Sequence, residues 1–468
     1  MVVPVTIGGS LPVSPPGGEV PQGAPYVFSL VTNAQVRVLL SAGDWVNLGQ
    51  DGRPYRLVGV PDGLGVFDNG DGTFTLLVNH ELARSSGAVR AHGAPGAFVS
   101  RWVVRKSDLR VVHGEDLIRQ VATWDVGAGR YRPASRGVAL SRLCSADLPE
   151  RTAFYDAPSG LGYDGVMFLS GEEAGGEGRA FAHLLDGTSY ELPWMGRYSF
   201  ENVVAHPQAG RKTVVVGLDD SDGGQLYVYV GEKAASGNPV ERAGLAGGVL
   251  YGVRIEGFPV EPQDHRPLGP LRFSLHPFGN VAGWRGARLE QASRSAGVTA
   301  FRRPEDGAWD PNRLTDFYFV TTASLSGRSR LWRLRFDDIA HPELGGTVEV
   351  VLAGGADGPR AMDNLAITRR GELLIQEDPG NVPYLARVWR YRIADGALQA
   401  VLEHNPALFA PGAPGYLTHD EESSGIVDAS SVLGEGWVLL AVQAHYRHPD
   451  PELVEGGQLL AVWLPPMP

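Results

Sequence analysis

Six times along the chain an apolar run that reads as a β-strand stops at polar side chains able to bind ions. GVFDNGDGTFTLLVNHE ends at Asn79, His80 and Glu81, GYDGVMFLSGEE at Glu172 and Glu173, and RKTVVVGLDD at Asp219 and Asp220. FYFVTTAS ends at Thr322 and Ser324, RRGELLIQED at Glu377 and Asp378, and GEGWVLLAVQAH at Gln443 and His445. Several of these runs are followed by a strand with alternating aromatics, as in LYVYV, LWRLRF and VWRYRI. Each unit is thus a small antiparallel sheet, and six of them in one chain predict an all-β fold, a six-bladed β-propeller with loop and short-helix insertions. Two β-sandwiches are the alternative. A propeller brings equivalent strand ends to one end of a common axis, so Glu81, Glu173, Asp220 and Asp378 are expected together there.

Composition supports strands and turns. The 468 residues include 62 Gly and 34 Pro, and amphipathic helical patterns are scarce. Residues 1–35 read as a Gly/Pro-rich strap, and 36–468 as a single propeller domain. The irregular spacing of the units, widest between Asp220 and Thr322, predicts an insertion at about 231–307 that carries a helix around Leu289. A net charge of −12 argues against nucleic acid as a partner and suits metal cations. No run is long enough to span a membrane, and no cleavable signal is present.

Carboxylates gathered at one end of an axis repel one another unless cations neutralise them. Each acidic pair taken singly is equally a solvated turn, but Glu172–Glu173, Asp219–Asp220 and Glu377–Asp378 agree in context. Glu201, Glu305, Asp363 and Glu422 stand where a packed strand would not place a charge. Asp, Glu and main-chain oxygens suit calcium, whereas a thiolate among them favours iron or zinc. The only cysteine, Cys144, is therefore either a buried packing residue or a metal ligand. GxSxG is absent, which leaves a hydrolase elbow at Ser423 or Ser424 unsupported.

These motifs resemble the PhoX-type alkaline phosphatases from about Val58 to His445. Leu143–Ser145 with Ser170–Glu173 is similar to that family's cysteine segment and C-E-E strand end, and Gly196–Glu201 to its G-R-F-x-H-E. Leu218–Asp220 is similar to G-D-D, Arg303–Glu305 to R-P-E, and Met362–Asn364 to P-D-N or P-D-G. Gln376–Asp378 resembles Q-T-D, Glu422–Gly425 resembles E-x-T-G, and Gln443–His445 resembles Q-H-P. The chain departs from the family at Phe200 (a histidine there), at Glu377 (a small hydroxyl residue) and in the lengthened Gln443-Ala-His445.

The resemblance implies two ferric ions with calcium ions around a transferred phosphoryl group. Cys144, Glu201 and Glu305 would bind iron, and Glu172, Glu173, Asp220, Asp363, Asp378 and Glu422 iron or calcium. Glu81 and Asp219 join the expected metal set from their strand ends. Arg142 and Arg197 are the expected catalytic contacts to phosphate, with Arg179 and Arg303 nearby. The function expected is hydrolysis of a small-molecule phosphoric ester, with Ca2+ and Fe3+ binding phosphate and activating a metal-bound oxygen nucleophile. The alternatives are a calcium-stabilised propeller that binds without turnover and a calcium-dependent lactonase or esterase. The resemblance also implies an exported, periplasmic or extracellular protein, and a monomer with no membrane partner is expected.

Overall fold

The computed structural model describes residues 23–46, 54–263, 269–355 and 357–468. Its strands form six blades around an axis, each with four antiparallel strands at its core, and Gln120–Ala122 adds a parallel edge strand to blade 2. The innermost strands are Pro61–Asp68, Leu143–Asp147, Phe200–Ala205, Pro304–Trp309, Met362–Ile367 and Glu421–Asp428, defining blades 1 to 6. Each touches the next, and the sixth returns to the first, which closes the ring. The six-bladed propeller expected from the repeated units is the fold. Close approach at the axis needs glycine at two points: a Cβ on Gly63 would lie 2.4 Å from the Ala146 nitrogen, and one on Gly425 would lie 2.4 Å from the Asp62 carbonyl oxygen.

Ring closure joins the two ends of the chain. Gln35–Ser41 pairs antiparallel with Gly456–Trp463 and becomes the outer strand of blade 6. Its Leu39 and Leu40 are buried in the core shared by blades 1 and 6. Of the stretch expected as a strap, residues 1–22 lie outside the described residues, and Val27–Ser29 is an edge strand of blade 5.

The expected insertion is narrower than 231–307. Val249–Ile255 is the outer strand of blade 3, and Pro304–Trp309 already belongs to blade 4. Between them Leu271–Gly279 bonds to the outer strands of both blades and fuses them into one nine-stranded sheet. The expected helix is present as Gly286–Ala296, with Leu289 buried, and Gly297 in the left-handed region ends it.

One feature of register recurs around the ring and positions everything that follows. In every blade the first residue of the inner strand pairs with the last residues of the second strand, and a bulge then breaks the ladder. The pairs in blades 1 to 5 are Pro61 with His80, Leu143 with Glu172, Phe200 with Asp219, Pro304 with Thr321, and Met362 with Glu377. Blade 6 pairs Glu421 with Ala444 and shifts register two residues later, after Ser423. A bulge re-aims the residues within it.

Candidate metal centre

The second residue of each inner strand sits at this bulge or just before it. Read around the ring, these residues are Asp62, Cys144, Glu201, Glu305, Asp363 and Glu422. The residue after each second strand forms a companion set: Glu81, Glu173, Asp220, Thr322, Asp378 and His445. All six of the latter are tied down alike, because each backbone N–H donates to the carbonyl of the residue preceding an inner strand. The distances are 3.0 Å for Glu81 to Val60, 2.8 Å for Glu173 to Arg142 and 2.8 Å for Asp220 to Ser199. They are 3.1 Å for Thr322 to Arg303, 2.9 Å for Asp378 to Ala361 and 2.8 Å for His445 to Asp420. Four of the acceptors, Val60, Arg142, Arg303 and Ala361, have φ of 52°, 43°, 55° and 44°. Non-glycine residues are costly there, and a β-branched Val60 especially so, a strain that functional sites characteristically hold.

The two sets converge on the axis. Ligand-type atoms of Asp62, Glu81 and Cys144 lie within 4.8 Å of one another, as do those of Cys144, Glu173 and Glu201, and those of Glu201, Glu305 and Asp363. Cys144 Sγ is 3.0 Å from Glu201 Oε2 and 3.5 Å from Asp62 Oδ2. Polar neighbours fix the ligands from behind. Ser145 Oγ donates to Glu201 Oε1 at 2.6 Å and accepts from the Asn364 amide at 2.5 Å. The Gln443 amide donates to both Asp62 and Glu81 at 2.9 Å. Arg142 pairs with Glu81 (2.6 Å) and with Glu173. Arg303 grips Asp220 through two bonds of 2.9 Å and reaches Glu305 at 2.9 Å.

Without cations this arrangement is electrostatically unfavourable. Burial first, and then the charges of Glu81 and Glu201, push the Asp62 carboxyl well above the usual range. Burial followed by Asp220 and Asp363 does the same to Glu305, and burial followed by Glu201 and Asp378 to Asp363. Burial raises Glu201 to about 8, and raises Asp378 to about 7 with help from Glu422. The Cys144 thiol is pushed up by burial and then by Asp62 and Glu201. Glu422 is the exception. Burial acts to raise it, but the hydrogen bond and charge of His445 outweigh that and hold it below its ordinary value. His445, between Glu422 and Glu455, rises to about 11 because those bonds overcome its burial.

Asp62 is 1% exposed, and its Oδ1 has no hydrogen-bond partner among the described residues. A buried carboxylate oxygen left open beside other carboxylates fits a cation. The donor chemistry is graded: two groups share the Cys144 sulfur and suit a transition metal, while Glu201, Glu305 and Asp363 offer oxygen alone and suit a hard cation.

The structure thus brings together Cys144, Glu81, Glu173, Glu201, Glu305 and Asp363, with Asp220, Asp378 and Glu422 at equivalent positions around them. Three expected site residues are elsewhere. Glu172 and Asp219 end their strands one residue before the ring set, and strand alternation turns them outward. Glu172 binds the Arg179 guanidinium at 2.6 and 2.7 Å, and Asp219 accepts from Ser199 N and Ser221 Oγ. Arg197 pairs with Glu191 at 2.8 Å and takes no part in the cluster. Phe200 is turned away too: it is fully buried and stacks on Tyr198 at 3.8 Å, so this departure from the family falls in packing between blades. Glu377 likewise bonds outward, to Trp389 Nε1 and Tyr384. Sequence reasoning missed Asp62, although Pro61-Asp62-Gly63 is itself a P-D-G strand start.

Fold and site together define a six-bladed β-propeller whose axis carries a buried, thiol-containing acidic cluster with the donor groups to hold metal ions. Residues 186–386 match the family model of alkaline phosphatase PhoX, a span that includes Glu201, Asp220, Glu305, Asp363 and Asp378. Among solved structures, Pseudomonas fluorescens PhoX in complex with vanadate, a transition state analogue, aligns with 95% of this chain and 97% of its own. Its TM-score is 0.66 at 14% identity. The PhoX resemblance read in the motifs is borne out. A putative 6-phosphogluconolactonase from Bacteroides uniformis aligns over 72% of this chain and 82% of its own, with 13% identity and a TM-score of 0.33. A Trypanosoma rangeli sialidase aligns over 93% and 59%, with 10% identity and a TM-score of 0.40. No curated protein matches the chain.

Proposed function

We propose that this protein is a metal-dependent phosphoric ester hydrolase of the PhoX type, using iron and calcium. The observation that carries the reading is the ring itself: five carboxylates and one thiol at the same position of six inner strands, on a propeller whose sequence matches the PhoX family. Cys144, Glu173, Glu201, Asp62 and Glu81 would hold the thiol-linked cations, and Glu201, Glu305 and Asp363 an oxygen-bound one, with Asp220, Asp378 and Glu422 completing the shell. Such cations, when bound, supply Lewis acidity toward phosphoryl oxygens and toward water.

The chain's own contribution is placement. Arg142 and Arg303 bridge carboxylates of adjacent blades and keep the ligand set from spreading. The Arg142 side chain is 46% exposed, and the bonds to Glu81 and Glu173 do not use its Nη1, which suits contact with a phosphate anion at the rim. Ser145, Asn364 and Gln443 hold the carboxylates from behind, so their orientation is set before substrate arrives. A small-molecule ester as substrate, a monomeric state, and a periplasmic or extracellular setting belong to the same reading. Among the described residues, no helix is long and apolar enough to cross a membrane.

The test is turnover of p-nitrophenyl phosphate, and of its bis-ester, by protein loaded with calcium and iron. Hydrolysis accompanied by visible absorbance from iron–thiolate ligation supports the reading. A fully loaded protein inert toward both esters overturns it in favour of a metal-stabilised binding module, and turnover of a lactone instead would make it an esterase.

A further inference from the structure

Glu421 opens the inner strand of blade 6, one residue before the ring carboxylate Glu422. Neighbours along a strand face opposite ways, so Glu421 and Ser423 turn from the axis toward blade 5. There they meet His404, the last residue of Leu398–His404, the outer strand of blade 5. Glu421 is 2% exposed, Ser423 1% and His404 0%. The His404 ring is bonded through Nε2 to Ser423 Oγ at 3.0 Å, and Phe409 packs against it with ring centroids 5.5 Å apart. Its Nδ1 faces Glu421 Oε1 at 3.5 Å, too far for a hydrogen bond.

Among the described residues neither Glu421 carboxylate oxygen has a hydrogen-bond partner, His404 Nδ1 has none, and the one ion-pair contact of Glu421 is that with His404. A carboxylate so deeply buried is costly unless something pairs with it. Asp62 Oδ1 in the axial ring is left open in the same way. A third open group faces this interface: Gln376 is fully buried with neither amide atom partnered, and it shares a strand face with Leu374, which packs against Ile426 and Leu440 of blade 6.

We propose that Glu421 and His404 hold a further metal ion, a divalent transition metal of the zinc class, between blades 5 and 6 and outside the axial ring. The spacing fits such an ion. Bonds of about 2.0–2.2 Å at a tetrahedral angle set two ligand atoms about 3.4 Å apart, against the 3.5 Å found between Nδ1 and Oε1. The donors fit as well, because an imidazole nitrogen beside a carboxylate suits zinc better than calcium. With Nε2–H donating to Ser423, Nδ1 turns its lone pair to the ion, the usual way in which a ligating histidine is held by its other nitrogen. The second Glu421 oxygen and the Gln376 amide oxygen are further donors on the same interface. The ion neutralises Glu421 and fastens the strand that carries Glu422 to the strand that pairs, through His404 and Val27, with the N-terminal edge strand. It is a site for stability, independent of what the ring catalyses.

The test uses whole protein first loaded with calcium and iron, with zinc chloride as the probe. In crystals, anomalous difference maps recorded on either side of the zinc edge are expected to show a zinc peak within about 2.2 Å of His404 Nδ1. In solution, the loaded protein should take up one further equivalent of zinc and melt at a higher temperature. His404→Gln, which keeps a partner for Ser423 but no donor in place of Nδ1, and Glu421→Gln should each lose that equivalent and that shift while holding the same calcium and iron as the wild type. The crystal measurement needs no variant, so it decides the matter should either substitution fold poorly. A gap that holds only water, or that closes to a direct imidazolium–carboxylate hydrogen bond in the presence of zinc, would overturn the proposal, as would zinc uptake unchanged in both variants.

Discussion

Cys144 shows how one side chain can be buried and still not be a packing residue. It is 8% exposed, but its sulfur faces Asp62 and Glu201 rather than apolar neighbours, because the bulge after Leu143 aims it at the axis. Replacing it by Ser is expected to remove the visible absorbance of the iron-loaded protein and one metal equivalent while leaving the far-ultraviolet circular dichroism of the fold. Elemental analysis with absorption spectra checks this, and a variant that keeps both metal and colour would return the thiol to the core. His183 illustrates the opposite case, a buried polar group used for structure. Its ring bridges Ser170 Oγ (2.6 Å) and Ser189 Oγ (2.7 Å), and burial lowers its pKa from 6.5 to about 3. The unfolded chain thus takes up a proton that the folded chain refuses. Its contribution to stability is complete above about pH 6.5 and is lost as the pH falls toward 3. The melting temperature of His183→Gln is therefore expected to fall less than that of the wild type between about pH 7 and pH 4, and parallel pH profiles would contradict this assignment.

At the scale of strands, the fold was legible because each blade repeats a strand, a polar stop and a second strand, a pattern visible in a single sequence. The site was legible in part. Acids at strand ends could be recognised, but not which of two adjacent acids faces the axis: Glu173 does and Glu172 does not, Asp220 does and Asp219 does not. That choice depends on register, and register is set by pairing with a strand whose bulge the sequence does not advertise. Asp62 escaped notice because its P-D-G start precedes a strand whose polar ending drew attention instead. Arg197 was misplaced because nearness in sequence to Glu201 says nothing about side-chain direction, and its partner Glu191 is on the outer strand of blade 2. The closing strand Gln35–Ser41 makes its own prediction. Leu40 is 4% exposed and paired opposite Leu459, so Leu40→Ala should cost about 2–5 kcal/mol. Chemical denaturation measures this, and an unchanged midpoint would mean that ring closure does not depend on this strand.

Across the whole molecule, a net charge of −12 is gathered in part into one buried ring that the fold assembles from all six blades. The carboxylates repel, four of the six residues preceding the inner strands are held at unfavourable φ, and a cation that binds the folded chain and not the unfolded one would offset these costs. On the proposed function metal binding is at once a source of stability and the basis of catalysis, so the two properties should move together. The measurement that tests this most directly follows melting temperature and hydrolysis of a chromogenic phosphate ester in the same sample. Cations are removed by a chelator, and calcium and iron are then restored. Both properties are predicted to fall on chelation, activity by orders of magnitude, and both to return when the two metals are restored. A melting temperature that falls and recovers in a protein that never hydrolyses the ester, even when fully loaded, would contradict the account.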